Sequence, residues 1–369
     1  MNINYFMPTR VVLGADCIFS NRAFLGGLGK KALIVSGKNS ARANGSLADT
    51  VKALEANGQS SFLYDRVMSN PTVDCAYEAA DAISREGCDF IIALGGGSPM
   101  DAAKVAALLA LNRVEKPALF GAAFTTALPI AAVPTTAGTG SEVTPYAILT
   151  NDVARTKTSI GTPAIFPRYA FLDARYTLGL SPAITINTAI DALSHAVEGM
   201  LSVKASAITN ALARESISVI AGCFGALGEG RAPDIGIRER LLYGSMTAGM
   251  VIAHTGTTAV HPMGYTLTYN HNIDHGRANG LIFAEFLKII EKKEKDGSRR
   301  IPAILSALGM KSLDEFTAVL DRLLGKKERF ETAVLEGYAA QAAKAKNIAN
   351  CVIRLEEEDL LEIFKRSIG

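Results

Sequence analysis

Residues 90–104 read FIIALGGGSPMDAAK, and this stretch decides the fold. Phe90 to Leu94 is an unbroken apolar run of strand length, which predicts a strand buried on both faces. It runs directly into Gly95-Gly96-Gly97-Ser98-Pro99, after which Met100 to Leu111 continues as an Ala-rich helix. Strand, glycine turn and helix in that order let backbone N–H groups and the positive end of a helix dipole meet a phosphate. The G-x-G-x-x-G dinucleotide fingerprint is missing, because its last position is Met100. Two readings of the turn therefore stand side by side: a bare strand-to-helix connection, and a phosphate cradle outside the standard fingerprint.

The same alternation extends outward from residue 31 to about residue 175 and predicts a parallel sheet flanked by helices. Ala32 to Val35 and Ser61 to Tyr64 are further strands, Ser46 to Asn57 and Thr72 to Arg85 further helices. Pro129 to Val133 is a strand that ends in a second hydroxyl- and glycine-rich turn, Thr135 to Ser141. Because ligands in open parallel sheets sit at the carboxyl ends of strands, this second turn adds weight to the phosphate reading. Beyond about residue 180 the β-runs stop. Thr185–Leu201, Ala207–Leu227, Ile237–Ala253, Leu281–Lys292, Ser312–Leu324 and Glu356–Arg366 carry helical periods. The boundary falls near 175–182, where Pro182 can open a helix, so the expected domains are 1–180 (α/β) and 181–369 (all-α). No internal repeat is evident.

A length of 369 residues suits two domains or one large one, and 49% hydrophobic with 20% charged residues is a folded composition. Lys+Arg 38 against Asp+Glu 36 gives +2 without a basic run, which argues against a nucleic-acid partner. The five cysteines are odd in number and never spaced Cys-x-x-Cys, so they read as buried thiols of a reducing, cytoplasmic setting. MNINYFMPTRVVLG lacks the pattern of a signal peptide. Two long uncharged stretches, Pro117–Ser141 and Leu241–Ile273, are interrupted by Pro, Gly, Thr and His, and read as protein interior rather than membrane spans.

Four of the five histidines, His254, His261, His271 and His275, fall between 254 and 275. The fifth, His195, follows Asp191 by four residues on an apolar helix, so carboxylate and imidazole share one face. Burying either group alone is costly. An Asp–His pair inside a core would explain the two; the added histidine cluster favours a mononuclear metal site of carboxylate and imidazole ligands. Such a set suits Fe(II), Zn(II) or a similar divalent ion and does not separate them.

GGGSPMDAAK (95–104), PTTAGTGSEVTPYAIL (134–149), DALSHAVEG (191–199), VHPMGY (260–265) and DHG (274–276) together resemble the iron-containing, group III alcohol dehydrogenases. The resemblance implies a Rossmann-like, parallel-sheet dinucleotide-binding domain followed by an all-helical metal-binding domain, the architecture shared with dehydroquinate synthase. In that family metal and nicotinamide meet in the cleft between the domains. It places the metal ligands on Asp191, His195, His261 and His275, with Fe2+ or Zn2+ as the metal. It rests the pyrophosphate on Gly95, Gly96, Gly97 and Ser98 with Asp101 close by, and adds Thr135, Thr136, Thr144 and Lys157 as cofactor contacts, with Asn70 and Leu172 more weakly matched. His254 and His271 have no place in the ligand pattern; His254 is expected to line the cleft from a helical face and His271 to sit in a polar loop.

Two departures from the family pattern matter. Many members carry a second histidine four residues after the third metal ligand, proposed to relay protons, and Tyr265 stands there in this chain. NAD-preferring relatives often have an Asp at the end of the strand ALIVSG; here Gly37 is followed by Lys38, Asn39 and Ser40, with Arg42 nearby, which favours NADP(H) over NAD(H). The expected reaction is reversible hydride transfer between NADP+ and a short-chain alcohol or diol. Gly256, Thr257, Thr258, Ala259, Met263 and Gly264 are the expected lining of an uncharged pocket. A zinc glycerol dehydrogenase and a dehydroquinate synthase-like lyase are the rival readings. The family also implies a homodimer or larger homo-oligomer, with the amino-terminal strand near the interface.

Overall fold

The computed structural model describes residues 3–294 and 299–369, and this chain divides into two compact units. The first comprises Met7–Leu180 together with Asp234–Leu242; the second comprises the described residues up to Phe6, Ser181–Pro233 and those from Tyr243 onward.

The first unit is built on strands β1 (Arg10–Leu13), β2 (Lys31–Gly37), β3 (Ser60–Val67), β4 (Phe90–Gly95), β5 (Ile130–Pro134), β6 (Tyr146–Asn151), β7 (Thr156–Gly161) and β8 (Tyr169–Leu172). Its helices are α1 (Cys17–Ser20), α2 (Ala23–Gly26), α3 (Ser40–Ala43), α4 (Ser46–Ala56), α5 (Val73–Glu86) and α6 (Gly97–Leu109). Six strands form a parallel sheet in the order β1-β8-β5-β4-β2-β3, while β6 and β7 pair as a separate antiparallel hairpin. Leu33, Val35, Ile91 and Ala93 point to one face and pack with Ala76 and Ala79 of α5 and Ala103 and Ala106 of α6. Ala32, Ile34, Phe90 and Ile92 point to the other and pack with Ala53 and Leu54 of α4. Helices cover both faces, so these strands are continuous apolar runs without polar alternation.

The chain leaves β2 for β3 on one side and returns to β4 on the other side of β2 before continuing to β5. The carboxyl ends of β2 and β4 therefore form the switch point where open α/β sheets take their ligands. Helix α6 starts at Gly97 rather than at Met100, because the first turn of a helix accepts Pro99, whose missing N–H has no partner to lose there. Gly95 adopts φ +146°, and a Cβ on Gly97 would lie 2.7 Å from Thr139 Cγ2. The glycines thus serve close packing of the turn itself, besides leaving its backbone accessible.

A buried cation ties the loop after β5 to α6. Lys104 Nζ donates to the carbonyls of Ser141 (2.6 Å), Thr144 (2.8 Å) and Tyr146 (2.8 Å), with Ser141 Oγ (2.9 Å) and Thr144 Oγ1 (3.2 Å) also within reach. Burial lowers its pKa to about 8, while Asp101 and Glu142 pull the other way.

The second unit is helical: α7 (Pro182–Met200), α8 (Ala207–Ala221), α9 (Phe224–Leu227), α11 (Val260–His271), α12 (His275–Lys293), α13 (Arg300–Leu308), α14 (Leu313–Leu324), α15 (Thr332–Ala343) and α16 (Glu357–Ile368). It also takes the larger part of α10 (Ile235–Thr255), whose first residues group with the sheet unit. Ser181 caps α7 by accepting from Ile184 N, with Pro182 in its first turn. The helix expected over Ala207–Leu227 is broken at Gly222–Cys223 into α8 and α9. Helices α11, α13 and α15 are not expected from the sequence; Gly and Thr in α11 dilute its helical period. Among the described residues no helix is long and apolar enough to cross a membrane.

Burial raises the Glu142 carboxyl from the usual carboxylate range to about 7, with its own backbone N–H and Lys104 opposing. The folded chain therefore holds this proton more tightly than the unfolded chain, and the associated stability is lost as pH rises from about 4.5 through about 7. Glu142→Gln removes that dependence. Its melting temperature relative to wild type is expected to rise between pH 5 and pH 8, each pKa unit corresponding to about 1.4 kcal/mol; thermal melts at the two pH values measure it.

Candidate metal and cofactor sites

In the helical unit three helices bring a carboxylate and three imidazoles together. Asp191 and His195 lie one turn apart on α7, His261 is in the first turn of α11, and His275 opens α12. The Nε2 atoms of all three histidines face one oxygen, Asp191 Oδ1, at 4.0 Å (His195), 3.7 Å (His261) and 3.7 Å (His275). Donor atoms of Asp191, His261 and His275 lie within 4.8 Å of one another. His195 stacks on His261 with ring centroids 4.5 Å apart. Asp191, His195 and His261 are buried, and His275 is partly exposed.

Neighbouring residues hold this arrangement. Asn187 Nδ2 donates to Asp274 Oδ2 (3.0 Å) and draws the start of α12 to α7. Asn279, one turn after His275, donates from Nδ2 to Asp191 Oδ1 (3.0 Å). The helices approach closely where glycine stands: a Cβ on Gly276 would lie 1.8 Å from Asn187 O, and one on Gly264 would lie 2.1 Å from Asn279 Oδ1. The carboxylate of Glu198 on α7 meets Nδ1 of His261. Sequence reasoning passed over Glu198 and Asn279. Their spacing carries the signal, since Glu198 is seven residues after Asp191 and Asn279 four after His275, on the same helical faces.

The donor chemistry fits a divalent cation. Electron-rich oxygen and nitrogen atoms converge in a buried space, which is costly unless positive charge balances them. The set contains imidazole and carboxylate but no thiolate, as Fe(II) or Zn(II) accepts.

The two histidines outside the ligand pattern have partners of their own. In the helical unit His254 Nδ1 lies 2.9 Å from Met250 O, its Nε2 3.0 Å from Phe6 N, and its ring stacks on Tyr5 at 4.2 Å. It pins the residues before β1. His271 is not in a loop but ends α11, with Nε2 2.6 Å from the Tyr338 hydroxyl and its ring against Phe330. Of the expected pocket lining, Thr257, Thr258, Ala259, Met263 and Gly264 are buried, the last two on the α11 surface that packs on α12. Tyr265 is partly exposed, its ring stacked on His275 at 5.1 Å.

In the sheet unit the expected cofactor residues gather at the carboxyl ends of the strands. Gly37 ends β2, and Lys38, Asn39 and Ser40 are exposed. Gly96, Gly97 and Ser98 are partly exposed at the start of α6, where no side chain caps the open N–H groups. Asn70, at φ +57°, donates from its N–H to Ser98 Oγ (3.2 Å), so this residue belongs to the same turn. Thr135 N donates to Gly95 O (2.9 Å), and Thr136 packs on Gly96.

Other expected residues turn inward. Asp101 accepts from Ser141 Oγ (2.9 Å) and Ile148 N (3.0 Å), and burial raises its pKa. Its carboxylate thus fixes the loop after β5. Thr144 is buried against Lys104. Leu172 is fully buried at the end of β8, its carbonyl accepting from Gly14 N (3.0 Å). Lys157 sits on β7 opposite Thr150. Arg42, expected as a nearby cation, is paired with Asp65 at 3.0 Å.

Comparison with known proteins settles the family. The chain matches the family model "Iron-containing alcohol dehydrogenase" over residues 8–174 and "Fe-containing alcohol dehydrogenase family, C-terminal" over residues 185–368. It is 35% identical over 263 residues to the lactaldehyde reductase of Escherichia coli (strain K12), covering 70% of this chain and 68% of that one. The chain belongs to the iron-containing alcohol dehydrogenase family. Its structure is similar to the iron-containing alcohol dehydrogenase of Thermotoga maritima, with TM-score 0.91, 36% identity and 99% of each chain covered. A sulfoacetaldehyde reductase from Bifidobacterium kashiwanohense, solved with NAD+, follows at TM-score 0.88 and 26% identity, over 100% of this chain and 99% of that one. The chain is thus an oxidoreductase acting on CH–OH groups.

Gly276→Ala puts a methyl group where Asn187 O stands and is expected to destabilise the protein by about 1–3 kcal/mol. It should also displace His275 and lower metal content. Gly337→Ala in α15, where a Cβ meets open space, is the control and is expected to be neutral or stabilising by up to about 1 kcal/mol. Thermal melts and metal analysis on both variants measure the contrast.

Proposed function

We propose that this alcohol dehydrogenase catalyses reversible hydride transfer between NADP(H) and a short-chain alcohol or diol and its aldehyde. The observation that carries the reading is the convergence of three imidazole Nε2 atoms on the single oxygen Asp191 Oδ1. Asp191, His195, His261 and His275 would hold Fe2+ or Zn2+. When bound, the ion supplies Lewis acidity that favours alkoxide over alcohol and polarises a carbonyl. Asn279 holds the Asp191 carboxylate in place, and no side-chain nucleophile is required. Residues 1–180 would serve as the dinucleotide-binding domain and 181–369 as the metal domain.

The cofactor's part falls to the switch point of the sheet. The N–H groups of Gly96, Gly97 and Ser98, with the positive end of α6, receive the pyrophosphate, and Asn70 braces Ser98. At the ribose end no carboxylate follows β2, and Lys38 and Ser40 stand exposed, which supports NADP(H). The bound NAD+ in the sulfoacetaldehyde reductase structure belongs to a relative with 26% identity and makes the preference the point to test. The lactaldehyde reductase relative supports a short aldehyde substrate. The free state of all five cysteines suits a cytoplasmic setting, and exposed β1 at the sheet edge suits a homodimer.

Two experiments test this reading. Replacing His261 or His275 by Ala is expected to weaken metal binding strongly, leaving the other three ligands to hold the ion at raised metal concentration, and to lower kcat by about 100-fold or more, the equivalent of several kcal/mol; unchanged metal affinity and turnover would contradict the ligand assignment. The ratio of kcat/KM for NADPH over NADH is expected to exceed one and to fall about tenfold in Lys38→Ala. A preference for NADH unaffected by that change would overturn the NADP assignment.

A further inference from the structure

We infer that Glu198 is a positioning residue for the metal centre, fixing His261 in the tautomer that presents Nε2, and that the turn before α11 exists to hold Glu198. This rests on the reading of Asp191, His195, His261 and His275 as metal ligands.

Glu198 is fully buried on α7, and an unbalanced carboxylate there would be costly. Its two oxygens have separate tasks. Oε1 accepts three hydrogen bonds, from Thr258 N (2.8 Å), Thr258 Oγ1 (2.8 Å) and Val260 N (3.0 Å). Oε2 meets His261 Nδ1. Among the described residues no lysine or arginine pairs with Glu198. A carboxylate only accepts, so the contact places the ring proton of His261 on Nδ1 and leaves the Nε2 lone pair free of it. Nε2 is the atom that faces Asp191 Oδ1 at 3.7 Å. A carboxylate behind an imidazole also raises its basicity as a ligand.

The donors to Oε1 are themselves anchored. Asn347 Nδ2 donates to Thr257 Oγ1 (2.7 Å), and Asn350 Nδ2 donates to Thr257 O (3.0 Å). Gly256, at φ +63°, makes the bend that leads into this turn. Asn350 O in turn accepts from Val203 N (2.7 Å), just past the end of α7. The segment Lys346–Asn350, far along the chain from any metal donor, therefore sets the orientation of one of them through Thr257, Thr258 and Glu198.

Glu198→Gln keeps the shape and the acceptor at one oxygen but loses the charge against His261. Chelator competition on the Co(II)-loaded full-length protein is expected to show metal held about 10- to 100-fold more weakly. The visible Co(II) spectrum should change, a readout that a loss of fold stability alone does not move. The double variant with His261→Ala is expected to lose nothing beyond His261→Ala alone, because Glu198 acts only through that ring. Thr258→Val, which removes a single donor to Oε1, gives a smaller loss in the same direction and serves if Glu198→Gln does not fold. Unchanged affinity in both variants would overturn the proposal, as would an equal loss on the His261→Ala background. If the wild-type protein fails to take up Co(II), the metal reading itself falls and this inference with it.

Discussion

The structure of the helical unit depends on one oxygen atom. Asp191 Oδ1 stands before the Nε2 atoms of His195, His261 and His275, and accepts from Asn279. These five residues come from three helices, so nothing in local sequence holds them together; packing must. Asn187 and Asp274 join α7 to α12, and Gly264 and Gly276 remove the Cβ atoms that would keep α11, α12 and α7 apart. A buried cluster of electron-rich donors is unfavourable by itself. A divalent cation held there would turn that cost into stabilisation, and folding and metal uptake would then be linked.

The sheet unit solves a different problem with backbone rather than side chains. Gly96 and Gly97 open α6 without a side-chain cap, which leaves N–H groups at the positive end of a thirteen-residue helix. The loop that follows β5 is held by the buried cation of Lys104, which satisfies three carbonyls, while Asp101 braces the same loop from the other side. Several residues of the GGGSPMDAAK and PTTAGTGSEVT motifs therefore bind each other. Motif membership alone does not separate residues that touch a ligand from those that shape the turn.

Much of this was legible in the sequence, for physical reasons that differ by element. Phe90–Leu94 and Ala32–Val35 announce two-sided burial because helices cover both sheet faces. Asp191 and His195 declare a shared helical face by spacing. The hairpin β6–β7 is hidden because β7, TKTSIG, lacks an apolar pattern and leaves the short apolar run of β6 without a recognisable partner. Helix α11 was misread because Gly, Thr and His, which its packing against α12 requires, are weak helix formers. His254 and His271 drew attention as histidines, yet their tasks, holding Phe6 and Tyr338, lie in contacts between segments distant in the chain. Arg42 looked available until β3 placed Asp65 beside it.

The central claim is that the cluster around Asp191 holds a divalent ion essential for reduction of a carbonyl. The most direct measurement is oxidation of NADPH and of NADH with lactaldehyde or butanal, using protein loaded anaerobically with Fe(II) and the same protein after chelation. The account expects turnover in the loaded sample, its loss on chelation and its return on adding metal back. Equal turnover before and after chelation, with removal of the ion verified by metal analysis, would contradict it.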